Sequence, residues 1–432
     1  MKNLHTAGLF LKAFMLIVFY FWDVGMSSSD NAMTSQILRS EQIQPIPYRI
    51  TNQLSDLEDF EHLEASIKRM MNRYNIKGAS LAVAKDGQLV YAKGIGYADA
   101  EAGEQVEPRH LFRVASVSKL ITAATIMKMT ESGLFDIDDK VFGKEGILND
   151  SIYLDYADPR IEKITVRHLL NHSAGWNNRF GDPLAMHHLI ARRMDIDRSE
   201  VNVPVILSYV LKNRLHYEPG SRTSYSNLGY AILGEVIEAV SGMDYESYIN
   251  QTILYPLGIH EMRVGRSLLE GRFENEVKYY GTSFSAYGGN DIETLGAAGG
   301  WIASPVELLK LAVAIDTIPG MSSLLKPETV ELMTDLRLSE GHPLGWAGTD
   351  GRGNWWRTGT LTGTSALVMR QNDGLTWVVV FNSSTSRGIS LPREINIEVQ
   401  TALNKIENWP DHDLFYHFET MPYLYPDIAE LR

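Results

Sequence analysis

Val-Ala-Ser-Val-Ser-Lys-Leu-Ile-Thr-Ala-Ala-Thr-Ile-Met-Lys-Met, residues 114–129, places Ser116 three residues before Lys119. On a helix that spacing sets both side chains on one face. Leu120, Ala123, Ala124, Ile126 and Met127 supply the apolar stripe of a buried helix, which predicts Ser116 in the first turn and Lys119 one turn further in. Unpaired main-chain N–H groups and the positive end of the helix dipole would favour negative charge developing near Ser116. Ser-x-x-Lys carries little weight alone, because such pairs are common at helix starts. The chain itself repeats the spacing at Ser323-Leu324-Leu325-Lys326.

Outward from this stretch, residues 56–74 have helical spacing at Leu57, Phe60, Ile67, Met70 and Met71. Residues 79–84 and 88–94 read as strands joined through Lys85-Asp86-Gly87, an Asp-Gly hairpin signal. Residues 136–251 carry mostly helical patterns, among them 166–170 and 228–240. Residues 296–300 read as a small-residue loop. Ser304-Pro305-Val306-Glu307 then has capping-box order and predicts a helix to about residue 315. Strands return at 365–370 and 376–381 around Asn372-Asp373-Gly374, followed by a helix over about 392–403.

Strands and one helix at each end, with helices between, predict an α/β (α+β) fold in which an antiparallel sheet is flanked by helices. The sheet lobe would be built from both chain ends, about 56–135 and 290–405. A mostly helical lobe over about 136–289 would be inserted between them. Residues 30–55 read as a linker, and 406–432 as a tail packed on the sheet lobe.

The 432 residues allow a large core, and 44% hydrophobic with 22% charged residues is the balance of an ordinary globular protein. A net charge of -13 without a long basic run argues against nucleic acid as a partner. There are no cysteines, so thiol nucleophiles, disulfides and thiolate zinc sites are excluded. No His-Glu-x-x-His helix is present, and no metal site is expected. Residues 1–29, with Lys2 and an apolar run over 13–22, look like an export signal or an uncleaved anchor. The expected location is therefore periplasmic or extracellular, with membrane contact only through that segment if it is retained.

The partners of Ser116-x-x-Lys119 are Tyr225-Ser226-Asn227, preceded by Glu218-Pro219-Gly220, and Arg357-Thr358-Gly359-Thr360, followed by Thr362-Gly363. Together, in this order and at this wide spacing, they resemble the serine β-lactamase and penicillin-binding-protein family. The likeness is to its Tyr-x-Asn branch of class C β-lactamases, DD-peptidases and esterases. It extends to Leu169-Leu170-Asn171-His172-Ser173-Ala174-Gly175 and Tyr255-Pro256-Leu257-Gly258. Ser323 has no Tyr-x-Asn between it and the Arg-Thr-Gly strand, and Tyr248-Ile249-Asn250 lies within a helical pattern.

A serine hydroxyl is a poor nucleophile until a neighbour takes its proton. Ser116 would attack a carbonyl, with Lys119 and Tyr225 as the two possible bases. Asn227 would orient Lys119 and the substrate. The resemblance implies an oxyanion hole from the N–H groups of Ser116 and Thr360, and an edge strand in which Arg357, Thr358 and Gly359 hold the substrate or the hydrogen-bond network.

Arg357 departs from the Lys or His usual in this branch, and its planar cation suits a carboxylate-bearing substrate. His172 reads as a structural helix-end residue. The implied activity is a serine hydrolase acting on an amide or ester of a small molecule or peptide, without a cofactor. The alternative is a member that keeps the fold and serves as a silent binding or sensing module.

Overall fold

The Asp-Gly hairpin turns where the sequence places it, with both Asp86 (φ 50°) and Gly87 (φ 84°) in the left-handed region that the turn requires. In the computed structural model, residues 50–281 and 285–416 are described. The predicted export segment, most of the predicted linker and the chain after 416 lie outside them.

In chain order the elements begin with α1 (Glu61–Tyr74), β1 (Gly78–Lys85), β2 (Gln88–Asp99), β3 (Glu104–Gln105), β4 (Phe112–Arg113) and α2 (Ser118–Glu131). The middle of the chain forms α3 (Val166–Leu170), α4 (His187–Met194), α5 (Val203–Leu211), α6 (Asn227–Ser241), α7 (Tyr245–Ile249) and β5 (Arg263–Val264). It closes with α8 (Ile292–Gly299), β6 (Trp301–Ala303), α9 (Pro305–Ile315), α10 (Pro327–Thr334), β7 (Gly348–Thr349), β8 (Trp355–Leu361), β9 (Thr364–Arg370), β10 (Leu375–Phe381) and α11 (Leu391–Leu403).

The main sheet has the order β3-β2-β1-β10-β9-β8-β7, and every neighbouring pair is antiparallel. The two chain ends meet at β1 and β10, in register from Ala79 opposite Phe381 to Lys85 opposite Leu375. Alternation along the strands divides the core. Leu81, Val83, Leu367, Trp377 and Val379 face α1 and α11, which bring Leu63, Ile67, Ile395 and Val399, with Phe60 from the turn just before α1. Ala82, Ala84, Ala366, Val368, Val378 and Val380 face the opposite way, toward the layer that includes α2 and α9. With both faces covered, β1, β9 and β10 are buried almost throughout and read as continuous apolar runs.

The inserted region is mostly helical, and its short strand β5 joins β4 and β6 in a second sheet of three short strands. Other expectations need correction. The small-residue stretch is a helix, α8, kinked at Gly296 (φ 19°, ψ -101°). At α9 the capping box is half formed. Ser304 Oγ accepts the Glu307 N–H, but Glu307 Oε1 accepts from His260 and Glu261 instead of returning to the cap.

The predicted linker also ends earlier than its boundary at residue 55. Asn52 Oδ1 accepts the Gly94 N–H and Ser55 Oγ the Ala92 N–H. From the tail, Asp413 Oδ1 accepts the Leu89 N–H, and His412 donates to Val90 O. The two segments cover the open edge of β2, which would otherwise present unpaired main-chain groups.

Candidate active site

Ser116 does not lie in the α-helix. It occupies a 3-10 turn, Ala115–Val117, and α2 begins at Ser118. The one-sided stripe is likewise replaced by burial all round, from Ser118 through Met127. Ala115 takes a left-handed backbone (φ 50°), sparsely populated for a residue with a Cβ and characteristic of a conformation held by its surroundings. Ser118 Oγ donates to Ala115 O and accepts the Trp301 N–H, while Val114 N–H donates to Trp301 O. These bonds pin the turn between α2 and β6.

Lys119, in the first turn of α2, is fully buried. Its Nζ donates to Asn227 Oδ1 (2.6 Å) and Ala298 O (2.5 Å), and faces Ser116 Oγ at 3.4 Å. The kink in α8 belongs to the same design, since it turns Ala297 O toward Thr122 Oγ1 and Ala298 O toward Lys119. Two ammonium hydrogens are thus committed. The third position points at Ser116 Oγ, where neutral Lys119 would present its lone pair.

Tyr225 is the other neighbour, with its hydroxyl 2.7 Å from Ser116 Oγ. It lies just before α6, whose start is capped by Ser226 Oγ accepting the Gly229 N–H. Asn227 is locked in one orientation, because its Oδ1 accepts from Lys119 and its Nδ2 donates to Asp182. Burial lowers the Lys119 ammonium and nearby Arg357 lowers it further, against the pull of Tyr225, leaving it at about 8. Burial pushes the Tyr225 phenol up, but the charges of Lys119 and Arg357 outweigh this and bring it down to about 8. Two groups that normally titrate above neutrality are therefore poised near it, on either side of one serine.

Strand β8 closes the site. Its outer neighbour β7 pairs only with Trp355 and Trp356, so Arg357 to Leu361 have no strand on that side and face the Ser116 turn. A Cβ on Gly359 would lie 2.1 Å from Val114 O and 3.1 Å from Ser116 N. Gly359 is therefore required for close approach of two backbones, a different role from the substrate contact expected of it. Gly359→Ala is expected to cost about 1–3 kcal/mol of stability or more, as overpacking does. It should also lower acylation by roughly 10²-fold by displacing the Ser116 turn. Thermal melts and single-turnover labelling on the folded variant would check both.

Thr358 and Thr360 line the same cavity, of about 350 Å³, together with Ser116, Tyr225, Asn227 and Arg357. Arg357 itself is only 1% exposed. Its Nε donates to Ser116 O (2.7 Å) and an Nη to the Tyr225 hydroxyl (3.2 Å). Of the two roles expected for it, these bonds place Arg357 in the hydrogen-bond network of the Ser116 turn and the tyrosine, and it also lines the cavity.

Three participants escaped sequence reasoning. Asp182 fixes the Asn227 amide from a loop whose only signal was an Asp-Pro turn. His342, from the segment before β7, lines the cavity and holds its Nδ1 on Pro343 O. Ala115 contributes its backbone shape. Ser323 Oγ, the decoy, donates to Ala314 O, and Lys326 N–H bonds Glu131. Among the described residues no group of three or more His, Cys, Asp or Glu is placed to hold a metal ion.

Residues 63–400 match the family model described as beta-lactamase. Penicillin-binding protein 4* of Bacillus subtilis (strain 168) is 32% identical over 206 residues, which are 47% of this chain and 41% of that protein. The matched stretch thus spans less than half of that relative's length. Among solved structures, the octameric penicillin-binding protein homologue from Pyrococcus abyssi superposes with a TM-score of 0.62 at 25% identity, covering 83% of this chain and 80% of its own. D-amino acid amidase from Ochrobactrum anthropi SV3, in complex with L-phenylalanine amide, gives 0.65 at 20% identity over 82% and 100% of the two chains. At that identity the likeness speaks for the fold alone.

Proposed function

The chain belongs to the beta-lactamase family, and from that premise we propose that it is a serine hydrolase that cleaves an amide or ester through an acyl-enzyme on Ser116. The observation that carries this reading is the Ser116 hydroxyl held 2.7 Å from Tyr225, with Lys119 and Arg357 bearing on the same pair. A hydroxyl, two possible bases and a fixed cation therefore meet at one point, which supports acyl transfer.

Ser116 Oγ lies nearer Tyr225 than Lys119, so Tyr225 as phenolate takes the serine proton while Oγ bonds to the substrate carbonyl carbon. Lys119 and Arg357 stabilise the phenolate. The carbonyl oxygen becomes an oxyanion, held by the N–H groups of Ser116 and Thr360. The proton on Tyr225 then passes to the leaving amine or alkoxide as the carbonyl re-forms. Water attacks the ester in the reverse sense, with Tyr225 again accepting a proton, and releases the acid.

A second cavity, of about 460 Å³, adjoins the first at Tyr225 and Asn227, with Trp176, Met186 and Tyr209 forming an apolar part and Asp182, Asn213 and Arg214 a polar one. This supports a substrate with an apolar or aromatic group beside its scissile carbonyl. A panel of D-amino-acid peptides, nitrophenyl esters of short and aromatic acids, and a chromogenic cephalosporin tests the reading. Turnover of none of these, together with no labelling by a fluorophosphonate or a fluorescent penicillin, would leave the binding-module alternative in its place.

Arg357 gives a sharper test on whichever substrate is turned over. Because it bonds Ser116 O and the Tyr225 hydroxyl, Arg357→Ala should lower kcat/KM equally for an anionic ester and its neutral counterpart. Charge-assisted bonds of this kind are worth about 1.5–3 kcal/mol, roughly one to two decades in rate. Arg357→Lys should recover little, since one ammonium cannot span both acceptors as the planar fork does. A loss confined to the anionic substrate would restore carboxylate recognition as the role of Arg357.

A further inference from the structure

His172 follows α3 and its C-cap Asn171, in a left-handed backbone conformation (φ 63°) that non-glycine residues adopt sparingly. Both its main chain and its side chain bond the segment that carries Tyr225. Ser224 N–H donates to His172 O (2.9 Å), and Ser226 N–H donates to His172 Nδ1 (3.2 Å). The residues immediately before and after Tyr225 are therefore both tied to His172. Its ring also packs on the tyrosine, with centroids 4.7 Å apart. Beyond these bonds, Gly220 N–H to Ser173 O and His216 N–H to Gly175 O tie residues 172–175 to the same segment.

The ring is buried at 2% exposure. Because Nδ1 accepts from a main-chain donor, the ring proton sits on Nε2, which has no hydrogen-bond partner among the described residues. Burial holds the imidazole well below its usual titration range, and His342, Arg357 and Lys119, which face it from three other elements, act in the same direction. A protonated ring would place a further cation beside Tyr225 and would lose the Nδ1 lone pair that receives Ser226. Neutral His172 is thus a fixed acceptor. No hydrogen bond joins either of its nitrogens to Ser116 or Lys119.

We propose that His172 is a positioning residue for the reaction, holding the Tyr225 turn from both sides so that the phenol stays on Ser116 and within the field of Lys119 and Arg357. The inference rests on the acyl-transfer reading above for its kinetic consequences only. Its structural consequence, the environment of the Tyr225 phenol, is measurable without turnover.

The experiment compares His172→Ala, which removes the acceptor, with His172→Asn, whose Oδ1 falls where Nδ1 was and which tolerates the left-handed backbone. His172→Gln, whose amide reaches past that point, replaces the alanine variant if the latter does not fold. Ultraviolet difference titration of each protein against its own Tyr225→Phe derivative isolates this phenol among the 20 tyrosines. The expected result is a Tyr225 titration near 8 in wild type and His172→Asn, moved up by about a unit or more in His172→Ala. On substrate, kcat should fall by roughly 10- to 10²-fold in His172→Ala with KM little changed, and recover to within about five-fold in His172→Asn.

Three results would overturn the proposal. They are an unmoved Tyr225 titration in His172→Ala, an Asn variant as impaired as the Ala variant, or a loss of kcat that follows melting temperature alone. If wild type neither labels nor turns over any substrate, the hydrolase reading fails, while the titration still decides whether His172 holds Tyr225.

Discussion

Ser116→Ala is expected to abolish covalent labelling by a fluorophosphonate and to lower kcat/KM on any substrate by about 10⁴-fold or more, the scale on which a nucleophile working as part of a unit is lost. The expectation follows from position. Among the described residues, Ser116 has a phenol at 2.7 Å and a buried amine at 3.4 Å. Ser323 spends its hydroxyl on Ala314 O, so Ser323→Ala should label at the wild-type rate. Peptide mapping of the wild-type adduct gives an independent readout. An adduct on Ser323, or undiminished labelling of Ser116→Ala, would sink the assignment of the nucleophile. The Ala variant should fold, because Ser116 Oγ bonds only to the two candidate bases and the turn is held by main-chain and Arg357 contacts.

Lys119→Ala and Tyr225→Phe should each cost on the order of 10²- to 10⁴-fold in acylation, the range for loss of a general base. The double variant should be little worse than the poorer single one, since both groups serve one proton transfer. Their pH profiles should move in opposite directions. In wild type both groups titrate at about 8 and interact, so the rate belongs to the singly deprotonated pair and is bell-shaped about that region. In Tyr225→Phe, Lys119 loses the stronger of the two neighbours that raise it, leaving burial and Arg357 opposed only by Asp182, so the residual rate should rise at lower pH. In Lys119→Ala, Tyr225 loses the stronger of the two charges that lower it, so the residual rate should rise only at higher pH. Stopped-flow acylation from pH 6 to 10 would show this. Losses that simply multiply, or limbs that move together, would mean the two residues act in separate steps.

The acyl-transfer proposal leaves the acyl group open. Two features of the site bear on it, the buried Arg357 on strand β8 and the cavity beyond Tyr225, lined by both apolar and polar side chains. If the first tunes the base, the Arg357 variants would report it. If the second receives the acyl group, comparison of acetyl with aromatic esters would report on it. A preference for the larger acyl group that disappears when Trp176 or Tyr209 is shortened would assign the cavity to the acyl side.

Much of this molecule was determined by the sequence alone, because the signals are local. The Asp86-Gly87 hairpin, the strands either side of Asn372-Asp373-Gly374 and the start of α9 at Ser304-Pro305 depend on turn and cap chemistry within a few residues. The membership of the site was also legible, since Ser116, Lys119, Tyr225, Asn227 and Arg357 carry distinct chemistry in a distinctive order.

What only the tertiary structure decided is how that chemistry is aimed. The left-handed backbone at Ala115 has no local signal, because alanine does not favour it, and that at His172 has only the weak one of a residue type that tolerates it. The kink at Gly296, which delivers Ala298 O to Lys119, was read as a loop because small residues look alike whether they turn or pack. Whether Arg357 holds the substrate or the hydrogen-bond network is left open by the sequence, because a motif does not state burial. Arg357 is buried because strand β8, free of a side chain at Gly359, lies against the nucleophile turn, where Ser116 O and Tyr225 satisfy the guanidinium. Such arrangements depend on contacts between residues far apart in the chain, from 54 positions for Ser226 and His172 to 241 for Arg357 and Ser116, whose geometry no local pattern encodes.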